Sequence, residues 1–368
     1  MSSLLLYPSS THLNTLIVSV PNIELHVFAT SKSTGIRYAV QNTFSILTKI
    51  LKWMNLMENW KYHGPIFDAH THIGESNSIE KMLNIEDDFG ITTQLGIVHS
   101  KDGFEYAKEH YPERFVFAKY LSLSDIAHFN VNSVIDDINR TKDEGYSLAK
   151  TWFGPRWRDY IEGIPSDFRI DDIRFDPIFQ ALEDNRLPLI IHIADPDTYF
   201  RIHYQDVSKY GTKEDHLHQL EQVMQRHPKI LFQIPHFGAQ PEIHRLPNLS
   251  RWLDRFPNIV IDTASSRWMA RELSKDVEKA RDFVIKYSDR ILFGTDLSAH
   301  RDGWDYFDGR YRSQHMLWQT ALRNELLPFV DEDTKDSGGT FVNGLDLSLS
   351  VLRKLYWKNA VRMYGDSS

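Results

Sequence analysis

IFDAHTHI, residues 66–73, places two histidines, His70 and His72, at the end of a short apolar run. In a strand, residues two apart point to the same side, so both imidazoles would face one surface. A buried imidazole needs a polar partner, and a second imidazole beside it needs another. The stretch therefore predicts a buried strand that ends in a polar site.

Seven further apolar runs of strand length follow along the chain. They cover residues 91–98, 114–121, 146–153, 187–194, 230–237, 258–264 and 290–296. Most are continuously apolar, as in parallel strands that helices cover on both faces. Helical stretches separate them, and several begin at Ser or Asp and end before Gly or Pro. Eight strand–helix units predict a (β/α)8 barrel; an open doubly wound sheet is less favoured, because no glycine-rich phosphate loop follows the first strand.

Composition narrows the choice of partners. The 368-residue chain has 42 basic and 50 acidic residues, a formal net charge of −8, and no basic stripe. A nucleic-acid partner is therefore not expected, and no apolar stretch reaches the roughly 20 residues of a membrane span. Since the chain has no cysteine, a metal site would use nitrogen and oxygen ligands only. We expect a cytoplasmic protein whose partner is a small-molecule substrate.

Residues 1–57 differ in texture from the rest of the chain. They combine short apolar runs, many Ser and Thr residues, and an amphipathic helix candidate that begins at residue 42. We interpret them as an N-terminal extension that is poorly ordered or lies upstream of a native start at Met54 or Met57. A partner-docking or lid segment is the alternative. Residues 58–368 would form the barrel.

Residues that can bind a metal end several of the apolar runs. His192 ends the fifth run, His236 the sixth and Asp296 the eighth. Active sites of such barrels form at the carboxyl ends of the strands, where the following loops converge. Together, His70, His72, His192 and Asp296 offer three histidines and one aspartate to zinc or another first-row divalent ion. The metal site is predicted at the C-terminal mouth of the barrel.

Four motifs in this order, FDAHTHIG, IIHIAD, IPHFG and ILFGTD, resemble those of the amidohydrolase superfamily. More narrowly, they are similar to its amidohydrolase-related branch, which includes metal-dependent hydrolases and the aminocarboxymuconate-semialdehyde decarboxylase group. The likeness extends over residues 64–365. It implies a distorted (β/α)8 barrel with a divalent metal at its mouth, zinc in the first instance and manganese or another first-row ion otherwise.

The resemblance implies four metal ligands, His70, His72, His192 and Asp296. It places His236 beside the substrate or the attacking water, or makes it a ligand of a second metal in binuclear members. Lys150, near the end of strand four, would bridge two metals if it were carboxylated; otherwise it pairs with a barrel carboxylate or points into the substrate pocket. We expect one metal.

Hydrolysis is the predicted chemistry. A divalent ion lowers the pKa of a bound water from near 16 to about 7. Asp296 would then act as the general base, and His236 would polarise the scissile carbonyl of an amide, lactone or ester. The alternative hypothesis is non-oxidative decarboxylation of a small unsaturated or aromatic carboxylate, which uses the same residues.

The loops after strands four and five are aromatic and basic. We expect four of their side chains to overhang the mouth and bind an anionic substrate, namely Trp152, Arg156, Arg158 and Arg201. The alternative is that this cluster packs a loop onto the barrel rim or forms the contact of a homodimer. Asp262, at the end of strand seven, is expected to orient a ligand rather than to bind the metal.

Overall fold

The computed structural model describes residues 60–165, 167–299, 304–327 and 340–365, together with three strands within residues 3–30. The chain divides into two compact units, residues 1–60 and 61–368. The first unit contains an antiparallel sheet of β1 (Ser3–Pro8), β2 (Leu13–Val20) and β3 (Ile23–Thr30) in sequential order. Residues 42–59, which the sequence predicts as an amphipathic helix, lie outside the described residues.

The second unit is built on a parallel sheet that curls into a barrel. Its strands are β4 (Ile66–Ile73), β5 (Ile91–Val98), β6 (Phe115–Tyr120), β7 (Leu148–Trp152), β8 (Leu189–His192), β9 (Phe232–Ile234), β10 (Ile259–Asp262), β11 (Ile291–Leu292) and β12 (Leu297–Ser298). They follow the order β11–β10–β9–β8–β7–β6–β5–β4–β12. The predicted α/β barrel is confirmed.

The barrel closes because its eighth strand is split into two halves. β11 pairs with β10, whereas β12 pairs with β4 on the other side. Between the two halves, the Ala69 N–H donates to the Phe293 carbonyl at 2.7 Å. The interruption at residues 293–296 is what turns Asp296 toward the first strand.

Helices connect the strands. They are α1 (Ser76–Asp88), α2 (Lys101–His110), α3 (Leu123–Ala127), α4 (Val131–Arg140), α5 (Trp157–Tyr160), α6 (Asp176–Asp184), α7 (Asp197–Ile202), α8 (Val207–Tyr210), α9 (Lys213–Arg226), α10 (Leu246–Arg255), α11 (Ser266–Leu273), α12 (Val277–Lys286), α13 (Trp304–Gln319), α14 (Leu349–Arg353) and α15 (Asn359–Tyr364). Ser100 and Asp276 cap α2 and α12, where their side chains accept backbone N–H groups. None of the described helices is long and apolar enough to cross a membrane.

Short elements complete the second unit. Three 3₁₀ turns cover Pro112–Arg114, Ile173–Phe175 and Ile243–Arg245, and a π turn at Lys354–Lys358 joins α14 to α15. β13 (Glu325–Leu326) pairs with β14 (Phe341–Val342) in a small antiparallel ladder.

The last helix packs against the barrel core and connects it to the site by hydrogen bonds. Tyr364 of α15 belongs to the same buried cluster as Phe67 and Leu95. Its hydroxyl donates to Gln233 Oε1 at 2.7 Å, and Gln233 Nε2 donates to Asp262 Oδ2 at 2.6 Å. Because buried polar groups need such partners, these two hydrogen bonds fix the orientation of Asp262.

His315 of α13 gives the protein a pH dependence that can be predicted. Burial, helped by Arg312, lowers its pKa to about 3, so the folded protein keeps it neutral and unfolding lets it take up a proton below about pH 6.5. Its stabilising contribution is therefore present above pH 6.5 and is lost as the pH falls toward 3.

Replacing His315 by Gln is expected to flatten the pH dependence of the free energy of unfolding. The wild type should lose up to about 1.4 kcal/mol per pH unit more than this variant between pH 6.5 and 4. Urea unfolding in the presence of a chelator measures both slopes. Parallel curves for the two proteins would contradict the prediction.

Candidate metal centre

His70 and His72 end β4 with their rings on one side, facing Asp296. His70 Nε2 lies 3.6 Å and His72 Nε2 3.1 Å from Asp296 Oδ1. One potential ligand atom from each of the three residues lies within 4.8 Å of the other two. In the part of the chain that the structure describes, no other group of three acidic or histidine side chains meets this spacing. Two imidazoles and a carboxylate fit a zinc-like or manganese-like ion.

The GTD motif brings Asp296 against the first strand. Asp296 adopts a left-handed φ of 58°, and its N–H donates to the His70 carbonyl at 2.9 Å. Gly294 permits this approach, since a Cβ there would lie 3.0 Å from His70 Cβ. Thr295 donates its N–H and its hydroxyl to Asp68, at 3.1 and 2.5 Å. A strained non-glycine residue held by such contacts is typical of functional sites.

Both histidines of β4 use their second ring nitrogen as well. His70 Nδ1 lies 2.9 Å from Asp262 Oδ2, which is the orienting contact that the sequence predicts for Asp262. His72 Nδ1 lies 2.7 Å from His99 Nε2. Burial raises the pKa of Asp262, but the neighbouring His70 outweighs it, so the net pKa is lowered and the carboxylate stays ionised. The two Nε2 atoms are thus left to face the centre.

His192 and His236 form a separate pair beside this group. His236 Nε2 lies 2.8 Å from His192 Nδ1, and His192 Nε2 lies 3.1 Å from Asp195 Oδ1. Tyr204 donates its hydroxyl to the other oxygen of Asp195 at 2.5 Å. His192 is not in the group of three, and it would have to exchange one of its two contacts to become a fourth ligand.

His236 occupies a left-handed turn directly after β9. Its φ is 57°, and its N–H donates to Asp262 Oδ1 at 3.2 Å. Its ring packs edge-on against Trp268, with the ring centroids 5.0 Å apart. Nδ1 of His236 is buried and has no hydrogen-bond partner among the described residues. A buried unpaired nitrogen beside a group of ligand atoms is suited to a metal or a substrate atom.

Burial sets the protonation states of the centre. It lowers the pKa values of His72 and His236 to about 3, so both rings are neutral at pH 7. Burial alone would raise the pKa of Asp296, but its hydrogen bond to His72 and the neighbouring histidines hold that pKa well below the usual value. Neutral imidazole and ionised carboxylate are the forms that bind a metal.

The four predicted substrate contacts lie in different settings. Trp152 ends β7 and packs edge-on against His192, with the ring centroids 6.0 Å apart. Arg158 donates to two carbonyl groups of its own loop, at 3.1 and 3.2 Å, as in the loop-packing alternative. Arg156 and Arg201 are exposed. Within the described part of the chain, Trp152 is therefore the one of the four that contacts a proposed ligand.

Lys150 points into a buried environment on β7. The residue is 2% exposed, and burial lowers its pKa to about 8, while the charges of Asp262 and Asp296 act in the opposite direction. In most molecules the Lys150 side chain therefore carries a protonated ammonium group at pH 7. A cation is available near two carboxylates of the centre.

Sequence reasoning missed two residues that contact the centre, Asp195 and Tyr204. Asp195 was visible in the motif IIHIAD, three residues after His192, but nothing local indicates that it returns to that ring. Tyr204 has no comparable signal, because its contact depends on how its loop folds back. His99 directly follows the second apolar run, but the sequence does not indicate its contact with His72.

Comparison with known families agrees with this architecture. A family model described as amidohydrolase matches residues 154–365, which is more than half of the chain. The chain therefore belongs to the amidohydrolase family, and it is an enzyme of the amidohydrolase superfamily, as the sequence motifs predict. No curated protein sequence matches it.

Several solved structures are similar to this chain at low sequence identity. An amidohydrolase structure from Staphylococcus aureus has 14% identity and a TM-score of 0.50, and the match covers 82% of this chain and 99% of that one. A 5-carboxyvanillate decarboxylase from Novosphingobium aromaticivorans, complexed with manganese and 4-hydroxy-3-methoxy-5-nitrobenzoic acid, has 14% identity and a TM-score of 0.48 over 83% and 97%. The corresponding decarboxylase from Sphingomonas paucimobilis has 13% identity and a TM-score of 0.47 over 82% and 99%.

Proposed function

We propose that this enzyme is a metal-dependent hydrolase of amides, lactones or esters with a small anionic substrate. The observation that carries the proposal is the group formed by His70, His72 and Asp296, whose ligand atoms lie within 4.8 Å of one another. We further propose His192 as the fourth ligand of a single ion, zinc or manganese for example. The donor set fits such an ion, because it combines imidazole nitrogens, of which His72 is neutral, with the ionised carboxylate of Asp296.

Asp296 is the proposed proton carrier. A divalent ion held by these residues would lower the pKa of a bound water molecule and would supply positive charge to polarise the substrate carbonyl. The water oxygen forms a bond to the carbonyl carbon, and the bond to the leaving nitrogen or oxygen breaks. One proton passes from the water to Asp296 and then to the leaving group. Since Asp296 is ionised at pH 7, it begins the reaction in the form that accepts a proton.

His236 is proposed to bind the carbonyl oxygen of the substrate. Its Nδ1 is buried and lacks a partner among the described residues, so a substrate atom there would satisfy it. A donor that is already fixed stabilises negative charge that develops on oxygen. For this role the proton must lie on Nδ1, and Nε2 must then accept from His192 across their 2.8 Å contact.

Decarboxylation is the second candidate, and Lys150 is the observation that favours it. Asp296 is ionised and has no proton to give, whereas the buried Lys150 ammonium has one. In this reaction the bond to the substrate carboxylate breaks, carbon dioxide leaves, and the electron pair left on carbon takes the proton. Both candidates use the same proposed metal ligands.

Metal content and product analysis together test the proposal. The purified protein should hold about one divalent ion per chain by elemental analysis, lose activity with a chelator, and regain it with zinc or manganese. A His192→Ala variant should hold less metal than the wild type. Protein that takes up no divalent ion after reconstitution would contradict both enzyme candidates.

A substrate panel then separates the two reactions. It should contain lactones, amides and esters on one side, and aromatic and unsaturated carboxylates on the other. In water enriched in oxygen-18, a hydrolase places the label in the product acid. Release of carbon dioxide without incorporation of label would favour the decarboxylase.

Lys150→Met is expected to weaken turnover of an anionic substrate. We propose that the ammonium group binds the substrate carboxylate, and loss of a charged hydrogen bond lowers kcat/KM by about tenfold to a hundredfold. Lys150→Arg, which keeps the charge, should lose less. An equal loss with a neutral ester of the same substrate would show that Lys150 does not bind the carboxylate.

A further inference from the structure

We propose that His99 is a positioning residue for the metal centre, and that it holds His72 in the tautomer that leaves Nε2 free to bind the ion. The inference rests on the proposed metal site and assigns a role to a residue outside the four proposed ligands. His99 follows β5 directly and belongs to a different strand–loop unit from His72.

Three contacts fix the place of His99 although its side chain is exposed. Its N–H donates to the carbonyl of Ile73, the last residue of β4, at 3.1 Å. Its ring lies with its centroid 5.2 Å from that of Tyr120 and 5.0 Å from that of His72. An exposed side chain loses conformational entropy when it is held in this way. The contacts of His99 with His72 and Tyr120 therefore have to offset this loss of entropy.

The contact constrains where the protons lie. Two imidazole nitrogens 2.7 Å apart form a hydrogen bond only if one donates and the other accepts. A neutral His72 that binds a metal through Nε2 carries its proton on Nδ1, so His99 Nε2 must accept it. Metal-binding histidines usually donate their other N–H group to such a partner, which fixes the ring orientation and the tautomer.

The two histidines of β4 are held by partners of different strength. His70 Nδ1 faces the buried carboxylate of Asp262 at 2.9 Å, whereas His72 Nδ1 faces the exposed imidazole ring of His99 at 2.7 Å. A charged acceptor forms the stronger hydrogen bond. We therefore infer that His72 is the more weakly oriented ligand and that its orientation depends on His99.

Exposure of His99 makes the inference testable without damage to the fold. Substitutions at exposed positions usually change stability little, and the backbone hydrogen bond from residue 99 to Ile73 remains in every variant. His99→Ala removes the acceptor, and His99→Gln restores an acceptor oxygen at a similar distance from the backbone. His110→Ala is the matched control, since His110 is an exposed histidine at the end of α2.

Zinc affinity of the full-length protein is the measurement, by competition with a chromophoric chelator. His99→Ala should raise the dissociation constant for Zn2+ by about tenfold to a hundredfold. His99→Gln should return it toward the wild-type value, and His110→Ala should leave it unchanged. Melting temperatures of the four metal-free proteins should agree, which separates an effect on the site from an effect on the fold.

The outcomes separate this inference from the proposed function. Wild-type protein that binds Zn2+ while His99→Ala binds it equally well would overturn the role of His99 and leave the metal site intact. Failure of His99→Gln to improve on His99→Ala would also overturn it, because an acceptor would then not be what matters. Wild-type protein that binds no Zn2+ would overturn the proposed function itself.

Discussion

Asp296→Asn is expected to lower kcat by roughly a thousandfold. The amide keeps the size of the side chain but cannot accept the proton of the attacking water, and it is a weaker ligand than the carboxylate. Asp296 Oδ1 lies 3.6 Å from His70 Nε2 and 3.1 Å from His72 Nε2, so the change also alters the proposed set of metal ligands. Steady-state kinetics with the best substrate of the panel, together with metal content, measures the two effects.

Asp289→Asn provides the matched control for this variant. Asp289 is an exposed aspartate that pairs with Lys354 before β11, outside the centre. It should retain wild-type kcat and metal content. An Asp296→Asn variant that keeps its metal and most of its kcat would remove Asp296 from the proton transfer and leave only its role as a ligand.

Asp262→Ala is expected to lower the free energy of unfolding by about 3–5 kcal/mol and to weaken metal binding about tenfold to a hundredfold. The carboxylate is fully buried, and its loss removes a hydrogen-bond partner from four polar groups: His70 Nδ1, Gln233 Nε2, His236 N and Ala264 N. Of these, Gln233 Nε2 keeps its second acceptor, the Ala69 carbonyl. Buried donors without acceptors carry a full desolvation cost. Urea unfolding of the metal-free protein and zinc competition measure the two losses.

The matched control for stability is Asp254→Ala. Asp254 is exposed and accepts hydrogen bonds from Tyr287 and Lys286 on the outer surface. Exposed pairs of this kind contribute up to about 1 kcal/mol, so its loss should be small. A comparable loss of unfolding free energy in both variants would show that the buried hydrogen bonds of Asp262 stabilise the protein no more than an exposed pair does.

Local patterns predict the parts of this protein that depend on neighbours in sequence. Continuous apolar runs indicated the eight strands, since parallel strands covered on both faces exclude polar residues. The spacing of His70 and His72 indicated that both rings face one side, because the side chains of a strand alternate. Both predictions concern intervals of a few residues, over which backbone geometry is fixed.

Contacts between residues that lie far apart in the chain could not be predicted from local sequence patterns. The sequence does not indicate that His192 contacts His236 and Asp195, or that Arg158 uses its guanidinium on its own loop. Each of these side chains can adopt several rotamers, and the choice depends on groups that other strands and loops bring near.

The sequence by itself determined the barrel, the family and the placement of His70 and His72 on one side of the first barrel strand. Only the tertiary structure decided how they are held: the split eighth strand turns Asp296 toward β4, and Asp262 and His99 occupy the second nitrogens of His70 and His72. The physical reason is that a side chain's type is fixed by the sequence, whereas the partner of each buried polar atom is chosen by packing among elements far apart in the chain.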